Sequence, residues 1–316
     1  MKKFGCVILA FVLMFSLSAC GKASQGHTSP SVVNTADNTA SGDEYYQYYR
    51  EHQELSLTET GFNADTMLRI DIPEVGLENV YVRQVSERIL LDTETIGTVY
   101  LIADDRYGGN RGTSDYYLLV IINDKLYVKD LSPQEFNSPA SMGATLYFAD
   151  LDGDKDKEIL LQEVKGMSGG AGQYLSRVYD FTDSEIKKIF TSYDKENKYY
   201  NTGFDCTLLE NHMLRIDNAF TGFTTTFEVV RENEEYFQWW YDDDGDLRNT
   251  SLWVDSFNRF EPEDVDDDGI SEIVCRQYTC LNNHADYAGS AITVLKYNSD
   301  TKSFYVYDAW FEPAEN

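Results

Sequence analysis

The chain has 316 residues and a formal net charge of −28, with 54 acidic side chains against 26 basic ones. Such an acidic surface argues strongly against nucleic acid as a partner, and against binding to anionic lipid through charge. It suits a soluble extracytoplasmic protein that meets cations, cationic peptides or neutral glycans.

Residues 1–20 have the pattern of a secretory signal peptide. Lys2 and Lys3 precede an apolar run that is too short to span a membrane as a helix. The run ends in "LSAC", which resembles the lipobox of bacterial lipoproteins. This resemblance implies that Cys20 is lipidated, becomes the first residue of the mature protein and anchors it outside the cytoplasm to a bacterial membrane.

The rest of the chain divides into a tether and a folded domain. Residues 21–43 are polar and small, which predicts a flexible tether. Residues 44–316 carry many Tyr and Phe in regular apolar runs, and this length can bury a core as one domain, or two at most. Strong helix patterns are scarce, although residues 44–55 fit a short helix as well as a strand. We therefore expect an all-β domain over residues 44–316.

Four segments of this domain share one pattern: an apolar strand, a loop rich in Gly, Asn or Thr, and a second strand with alternating apolar residues. Their equivalent points, 55 to 60 residues apart, are Val99, Ile159, Leu214 and Ile273. Most units continue through a hairpin turn into a third strand, with turns expected at Asn123-Asp124 and near Thr182-Asp183 and Ser299-Asp300.

An additional apolar strand, "ATLYFA", precedes one unit, so a unit holds the four strands of a propeller blade. The sequence therefore predicts a β-propeller or propeller-like array of about four to five four-stranded units. A meander or a pair of β-sandwiches fits the strand count nearly as well.

Two acidic loops occur at equivalent places in the repeat. "DLDGDKDKEI" begins at Asp150 and "DVDDDGISEI" begins at Asp264, and both have acids at positions 1, 3, 5 and 9. Alternate side chains of a tight loop point to one side, so these carboxylates can face one ion. A shell of hard oxygen ligands favours Ca²⁺ over a transition metal. The alternative is a solvated acidic turn without an ion.

The two loops resemble the calcium loops of FG-GAP and VCBS repeats, the integrin-like units of β-propellers. In the first loop the resemblance implies the ligands Asp150, Asp152, Asp154, the carbonyl of Asp156, and Glu158. In the second loop it implies Asp264, Asp266, Asp268, the carbonyl of Ile270, and Glu272. The first loop departs from the family because Lys155 stands where the second has Gly269. The resemblance implies two structural Ca²⁺ ions.

The domain contains three cysteines, Cys206, Cys275 and Cys280, and an odd number is not a disulfide framework. Cys275 and Cys280 either pair or remain buried free thiols. A metal site from these two cysteines and His284 is possible in principle, but the chain lacks the C-x-x-C pair of structural zinc sites.

Catalytic motifs are scarce, because the chain has no G-x-S-x-G, no H-E-x-x-H and no P-loop. Aromatic residues cluster in "YFQWWY", where strand alternation leaves one of Trp239 and Trp240 inward and the other available for a ligand. We expect a binding or scaffolding protein at the cell surface, with a glycan, a wall polymer or a protein as ligand. The alternative is a carbohydrate-active hydrolase or lyase, which requires a pocket with two isolated carboxylates.

Overall fold

The computed structural model describes residues 69–92, 95–104, 115–131, 143–168, 171–193, 199–230, 238, 240–242, 244, 246–248, 252–284 and 286–314. The predicted signal peptide, the tether and residues 44–55 lie outside these ranges. Apart from a 3-10 turn at Pro73–Val75 and a 3-10 position at residue 238, the regular structure in these ranges consists of antiparallel strands, which confirms the all-β prediction. No helix within the same ranges is long and apolar enough to cross a membrane.

Sheet I contains five strands that pair in chain order. They are β1 (Arg69–Ile72), β2 (Leu77–Asp92), β3 (Thr95–Asp104), β4 (Asp115–Ile122) and β5 (Lys125–Asp130). Asn123 and Asp124 form the turn between β4 and β5, with φ of 48° and 61°. The sequence predicted this turn, because Asn and Asp tolerate left-handed backbone better than most residues that carry a Cβ.

Three further sheets are antiparallel meanders in chain order. Sheet II contains β6 (Gly143–Ala149), β7 (Glu158–Ser168), β8 (Ala171–Thr182) and β9 (Glu185–Thr191). Sheet III contains β10 (Phe204–Leu208), β11 (Met213–Asn218) and β12 (Thr224–Glu228). Sheet IV contains β13 (Trp253–Glu263), β14 (Glu272–Asn283), β15 (Asp286–Asn298) and β16 (Ser303–Pro313). Among the described residues the sheets thus have five, four, three and four strands, rather than four each.

The equivalent points of the predicted repeat lie on strands of the four sheets, but the point in sheet I is displaced by one residue. Ile159, Leu214 and Ile273 lie in β7, β11 and β14, each the second strand of its sheet. Ile159 packs in the core between sheets I and II, and Ile273 in the core between sheets II and IV. Val99 packs towards sheet II, whereas its neighbour Tyr100 lies on the other face of sheet I. Tyr100 in β3, rather than Val99, therefore lies on the face that corresponds to Ile159 and Ile273, because a shift of one residue reverses the face.

The apolar clusters show which sheets are in contact. One cluster joins sheet I to sheet II, a second joins sheet II to sheet IV, and a third joins sheet III to sheet IV. The packing order is therefore I, II, IV and III, which differs from the chain order. Fully buried side chains in the middle cluster include Leu160, Phe260 and Ile273.

Equivalent backbone hydrogen bonds repeat along this stack. The amide of Lys157, at position 8 of the first acidic loop, donates to the carbonyl of Leu90 in sheet I at 2.8 Å. The amide of Ser271, at position 8 of the second loop, donates to the carbonyl of Asp150 beside sheet II, also at 2.8 Å. Sheet IV thus contacts sheet II in the way that sheet II contacts sheet I, and both acidic loops lie at these junctions.

Candidate functional site

The first acidic loop, residues 150–158, joins β6 to β7 and folds around its own backbone. The carboxylate of Asp150 accepts the amides of Gly153 at 2.7 Å and Lys155 at 3.0 Å. Lys155 adopts φ of 82°, so the position where the second loop has glycine is left-handed here as well. This conformation brings together ligand atoms that all lie within 4.8 Å of one another, from Asp152, Asp154, Asp156 and Glu158.

Glu158 is the buried member of this group. Glu158 is only 3% exposed, and its carboxyl group accepts a hydrogen bond from the amide of Leu151 at 2.7 Å. Burial, together with the charges of Asp152 and Asp180, raises the pKa of Glu158 to about 8. Burial also raises the pKa of Asp152, together with the charges of Asp150 and Asp156. The loop therefore concentrates negative charge around a carboxylate that water does not solvate.

The second acidic loop, residues 264–272, joins β13 to β14 and has the same internal design. Asp264 accepts the amides of Asp268 at 3.1 Å and Gly269 at 2.9 Å, and the bond from position 6 is the one that Asp150 also accepts in the first loop. Glu272 is fully buried and accepts the amide of Val265 at 3.1 Å. The sequence equivalence of the two loops is therefore also a structural equivalence.

The second loop differs because an ammonium group lies among its carboxylates. Nζ of Lys296 in β15 lies 2.8 Å from Oδ2 of Asp266 and 2.8 Å from Oε1 of Glu272. It also lies 3.0 Å from Oδ2 of Asp268. These hydrogen bonds raise the pKa of Lys296, so the amine remains charged. Lys296 thus supplies a positive charge where the sequence predicted a metal ion.

Strand register explains why only the second loop receives this lysine. Leu295 pairs with Ile273, and Tyr179 pairs with Ile159, so Lys296 and Asp180 occupy equivalent positions in β15 and β8. The first loop therefore has an additional acid at the place where the second has a base. This difference could not be recognised from the loops alone, because it arises more than twenty residues further along the chain.

The two loops are in direct contact. Besides the hydrogen bond from Ser271 to Asp150, Gly153 lies against the side chain of Ile270. A Cβ at Gly153 would be only 2.7 Å from Cδ1 of Ile270, and φ at Gly153 is 86°. A side chain at this position would have a strained backbone and would displace the end of the Ile270 side chain, so glycine is favoured here. The carbonyl of Ile270, a ligand implied by the family resemblance, belongs to a residue that packs between the loops.

Of the two predicted aromatic contact residues, Trp240 is the one that points inward. This residue is 1% exposed, and its indole N–H donates to Oδ1 of Asn282 at 2.7 Å. It packs with the cluster between sheets III and IV, so it offers no face to a surface ligand. Trp239 lies outside the described residues.

A different set of aromatic residues lines an open cleft of about 450 Å³. Its lining residues are Tyr199, Tyr200, Asn201, Phe220, Phe304, Tyr305 and Val306. Phe220 is 57% exposed and Tyr305 is 42% exposed, so both present part of an aromatic ring to solvent. Burial raises the pKa of Tyr199 to about 12, so its hydroxyl keeps its proton and can donate a hydrogen bond. Sequence reasoning missed this cleft because its residues come from three distant segments.

All three domain cysteines are free thiols. Cys275 packs between sheets II and IV, and burial raises its pKa well above the ordinary value. Cys280 lies near the opposite end of β14, so the possible disulfide between Cys275 and Cys280 is not formed.

Comparison with known proteins gives one match. Residues 202–311, about a third of the chain, match the model of the family described as the YybI C-terminal domain. This segment contains sheet III, sheet IV except the last two residues of β16, and the second acidic loop, but not the first loop. No curated protein and no solved structure shows significant similarity to the chain.

Proposed function

We propose that this protein is a lipid-anchored, extracytoplasmic binding module that uses its aromatic cleft to bind a neutral glycan or wall polymer. The cleft is the single observation that carries the proposal. Phe220 and Tyr305 expose large apolar faces on which sugar rings can stack, while the side-chain amide of Asn201 can supply a hydrogen bond. A protein ligand that inserts an apolar side chain is the other partner suited to this surface.

The composition of the cleft favours binding over hydrolysis. A glycoside hydrolase or lyase requires carboxylic groups on either side of the bond that breaks. None of the seven residues that line the described cleft is acidic. The cleft residues are also uncharged, so a neutral ligand avoids repulsion from a chain with a net charge of −28.

Calcium has a structural part in this proposal, and the first acidic loop is its site. Asp152, Asp154, Asp156 and Glu158 provide a set of hard oxygen ligands that suits Ca²⁺. The buried Glu158 supports this assignment, because its carboxyl group can lose its proton at neutral pH only when a cation compensates the buried charge. When bound, the ion would neutralise these carboxylates and hold the loop against the start of β7.

The family resemblance implies a second Ca²⁺ at Asp264, Asp266, Asp268, Ile270 and Glu272. Ligand atoms of Asp264, Asp266 and Glu272 lie within 4.8 Å of one another, but a side-chain cation competes for this place. The ammonium of Lys296 already contacts three of these five residues. A divalent cation at the same place would be repelled by this charge. We therefore propose one calcium ion rather than two, with Lys296 as the permanent counter-charge of the second loop.

The arrangement of the sheets supports a propeller-like array without requiring a closed ring. Sheet II packs on sheet I, and sheet IV packs on sheet II, through the same face and through equivalent amide hydrogen bonds. Neighbouring propeller blades pack in this way. In this proposal, lipid on Cys20 holds the array at a bacterial membrane, and residues 21–43 act as the tether that gives the cleft access to its ligand.

A binding screen tests the proposed function. The purified chain would be applied to neutral polysaccharides and cell-wall glycan fragments in the presence of Ca²⁺. We expect Phe220→Ala and Tyr305→Ala each to weaken binding roughly tenfold, corresponding to about 1.4 kcal/mol. Tyr287→Ala is the matched control, because Tyr287 is 37% exposed but does not line the cleft.

Two results would count against the proposal. Equal loss of binding in Tyr287→Ala would show that the cleft is not the site, and absence of binding to every glycan would direct attention to a protein ligand. Release of shortened products from a bound glycan would instead support the hydrolase or lyase alternative.

A further inference from the structure

Three different metal-ligating side chains converge at the end of sheet IV that is remote from its acidic loop. Asp255 lies in β13, Cys280 in β14, and His284 in the turn between β14 and β15. Sγ of Cys280 lies 3.8 Å from Oδ2 of Asp255, and Nδ1 of His284 lies 2.5 Å from the same oxygen. One ligand atom from each residue lies within 4.8 Å of the other two.

The surrounding strands hold these groups in place. Cys280 pairs with Trp253 across β13 and β14, and the ring of Trp253 packs edge-on against His284 with centroids 5.6 Å apart. The side-chain amide of Gln277 donates to the carbonyl of Asp255 at 2.6 Å, which fixes the backbone beside the carboxylate. The cluster is therefore built on rigid strands, with only His284 on a turn.

Burial makes this cluster costly without a positive partner. Asp255 is 2% exposed and Cys280 is fully buried, whereas the side chain of His284 is 26% exposed. One oxygen of Asp255 accepts the amide of Ser256 at 2.9 Å, and the other faces the thiol and the imidazole. A buried carboxylate is stable only when it is paired or coordinates a metal. The partly exposed imidazole provides a route by which an ion can reach the buried ligands.

We propose that Asp255, Cys280 and His284 bind one divalent transition-metal ion of the zinc class. Thiolate, imidazole and carboxylate together are the ligands of Zn²⁺ or Co²⁺ and do not suit Ca²⁺, which takes oxygen ligands only. Binding requires the thiol of Cys280 to lose its proton to solvent and the imidazole to be neutral at its ligating nitrogen. The fourth position remains for water or an external ligand.

The observed distances are compatible with tetrahedral coordination after a small movement. Zn–S bonds of about 2.3 Å and Zn–O bonds of about 2.0 Å place tetrahedral ligands roughly 3.5 Å apart, close to the separation of Cys280 and Asp255. Tetrahedral coordination would require Nδ1 of His284 and Oδ2 of Asp255 to lie about 1 Å farther apart than they do. His284 lies on the turn, so it is the ligand that can move outward.

A cysteine nucleophile is the competing use of these residues, and the environment disfavours it. Burial, together with the neighbouring charge of Asp255, raises the pKa of Cys280 to about 12. Asp255 also lies between the thiol and the imidazole, whereas a base must contact the nucleophile directly. A simple ion pair between Asp255 and a protonated His284 is the other alternative, and it makes no use of Cys280.

Titration of the chelator-treated full chain with Co²⁺ tests the proposal. Binding through a thiolate produces a sulfur-to-cobalt absorption band in the near ultraviolet, which carboxylate loops cannot produce. We expect this band to saturate at one equivalent of Co²⁺, to be displaced by Zn²⁺ and to disappear in Cys280→Ser. Cys206→Ser is the matched control, since Cys206 is the other thiol near this end of the sheet and should leave the band unchanged.

His284→Gln distinguishes the metal site from a structural ion pair. His284 lies on a partly exposed turn, so the variant should fold, and we expect it to weaken Co²⁺ and Zn²⁺ binding at least tenfold. Absence of the band in the natural chain, or its persistence in Cys280→Ser, would overturn the proposal. Unchanged Zn²⁺ affinity in His284→Gln would equally remove His284 from the site.

Discussion

The ammonium of Lys296 lies 2.8 Å from the carboxylate of Glu272, and Glu272 is fully buried. Lys296 reaches Glu272 from β15, while the acid itself begins β14 at the end of the second acidic loop. The equivalent position in sheet II is Asp180, so the two loops with similar sequences face opposite charges. We infer that the first loop depends on an external cation and that the second loop carries its own.

Replacing Lys296 should convert the second loop into a cation-dependent one. We expect Lys296→Met to lower the free energy of unfolding by on the order of 3 kcal/mol in chelator, because Glu272 is left buried without its counter-charge. Added Ca²⁺ should restore much of this loss. Thermal unfolding measures both effects, and Lys187→Met is the matched control because it removes only the exposed pair with Asp183. A variant that is insensitive to Ca²⁺ would contradict this account of the second loop.

Removal of Ca²⁺ from the natural chain should destabilise the first loop alone. A cation that binds only the folded state raises the free energy of unfolding by about 2.7 kcal/mol at a hundredfold excess over its Kd. We expect the Ca²⁺-induced rise in Tm to disappear in Asp152→Asn and to persist in Asp266→Asn, because the two aspartates occupy position 3 of their loops. An equal concentration of Mg²⁺ should not reproduce the rise. Loss of the effect in Asp266→Asn would show that the second loop also binds calcium.

Glu158 should make stability depend on pH when Ca²⁺ is absent. Its pKa is raised from an ordinary value of 4.5 to about 8, chiefly by burial. Between these values the folded protein retains a proton that the unfolded chain has lost, so the free energy of unfolding falls as the pH rises through this window. Each unit by which the pKa is raised corresponds to about 1.4 kcal/mol.

Chemical denaturation in chelator at several pH values measures this slope. We expect Glu158→Gln to flatten it, because the amide does not titrate. Excess Ca²⁺ should also reduce this fall in the free energy of unfolding, since the ion displaces the proton from Glu158 and binds more tightly as the pH rises. A slope that is unchanged in Glu158→Gln would assign the pH dependence to other groups.

Local features of this fold could be predicted from the sequence, whereas its long-range relationships could not. The turn at Asn123-Asp124 and the internal design of the loops at Asp150 and Asp264 depend on neighbouring residues, so their patterns are readable. The position of Lys296 depends on the register between β14 and β15, and a shift of one residue would turn it to the other face. No local pattern encodes that register.

The packing order of the sheets and the aromatic cleft were unpredictable for the same reason. Sheet IV follows sheet II in space, although sheet III lies between them in the chain. The cleft combines Tyr199 with Phe220 and Tyr305, residues that no periodicity connects. The cluster at Trp239 and Trp240 was the stronger local signal, but Trp240 is used in the core.

Gly203 should control the cleft through the position of Phe220. Gly203 has φ of 82°, and a Cβ there would lie 2.5 Å from Cδ2 of Phe220, so Gly203→Ala must displace the exposed ring. Gly222 has a similar φ of 74° with no atom within 4 Å of an added Cβ, which makes Gly222→Ala the matched control for backbone strain alone. Both variants should lose on the order of 1 kcal/mol of stability from left-handed backbone. Only Gly203→Ala should also weaken glycan binding, and equal binding by the two variants would mean that the position of Phe220 does not matter for the ligand.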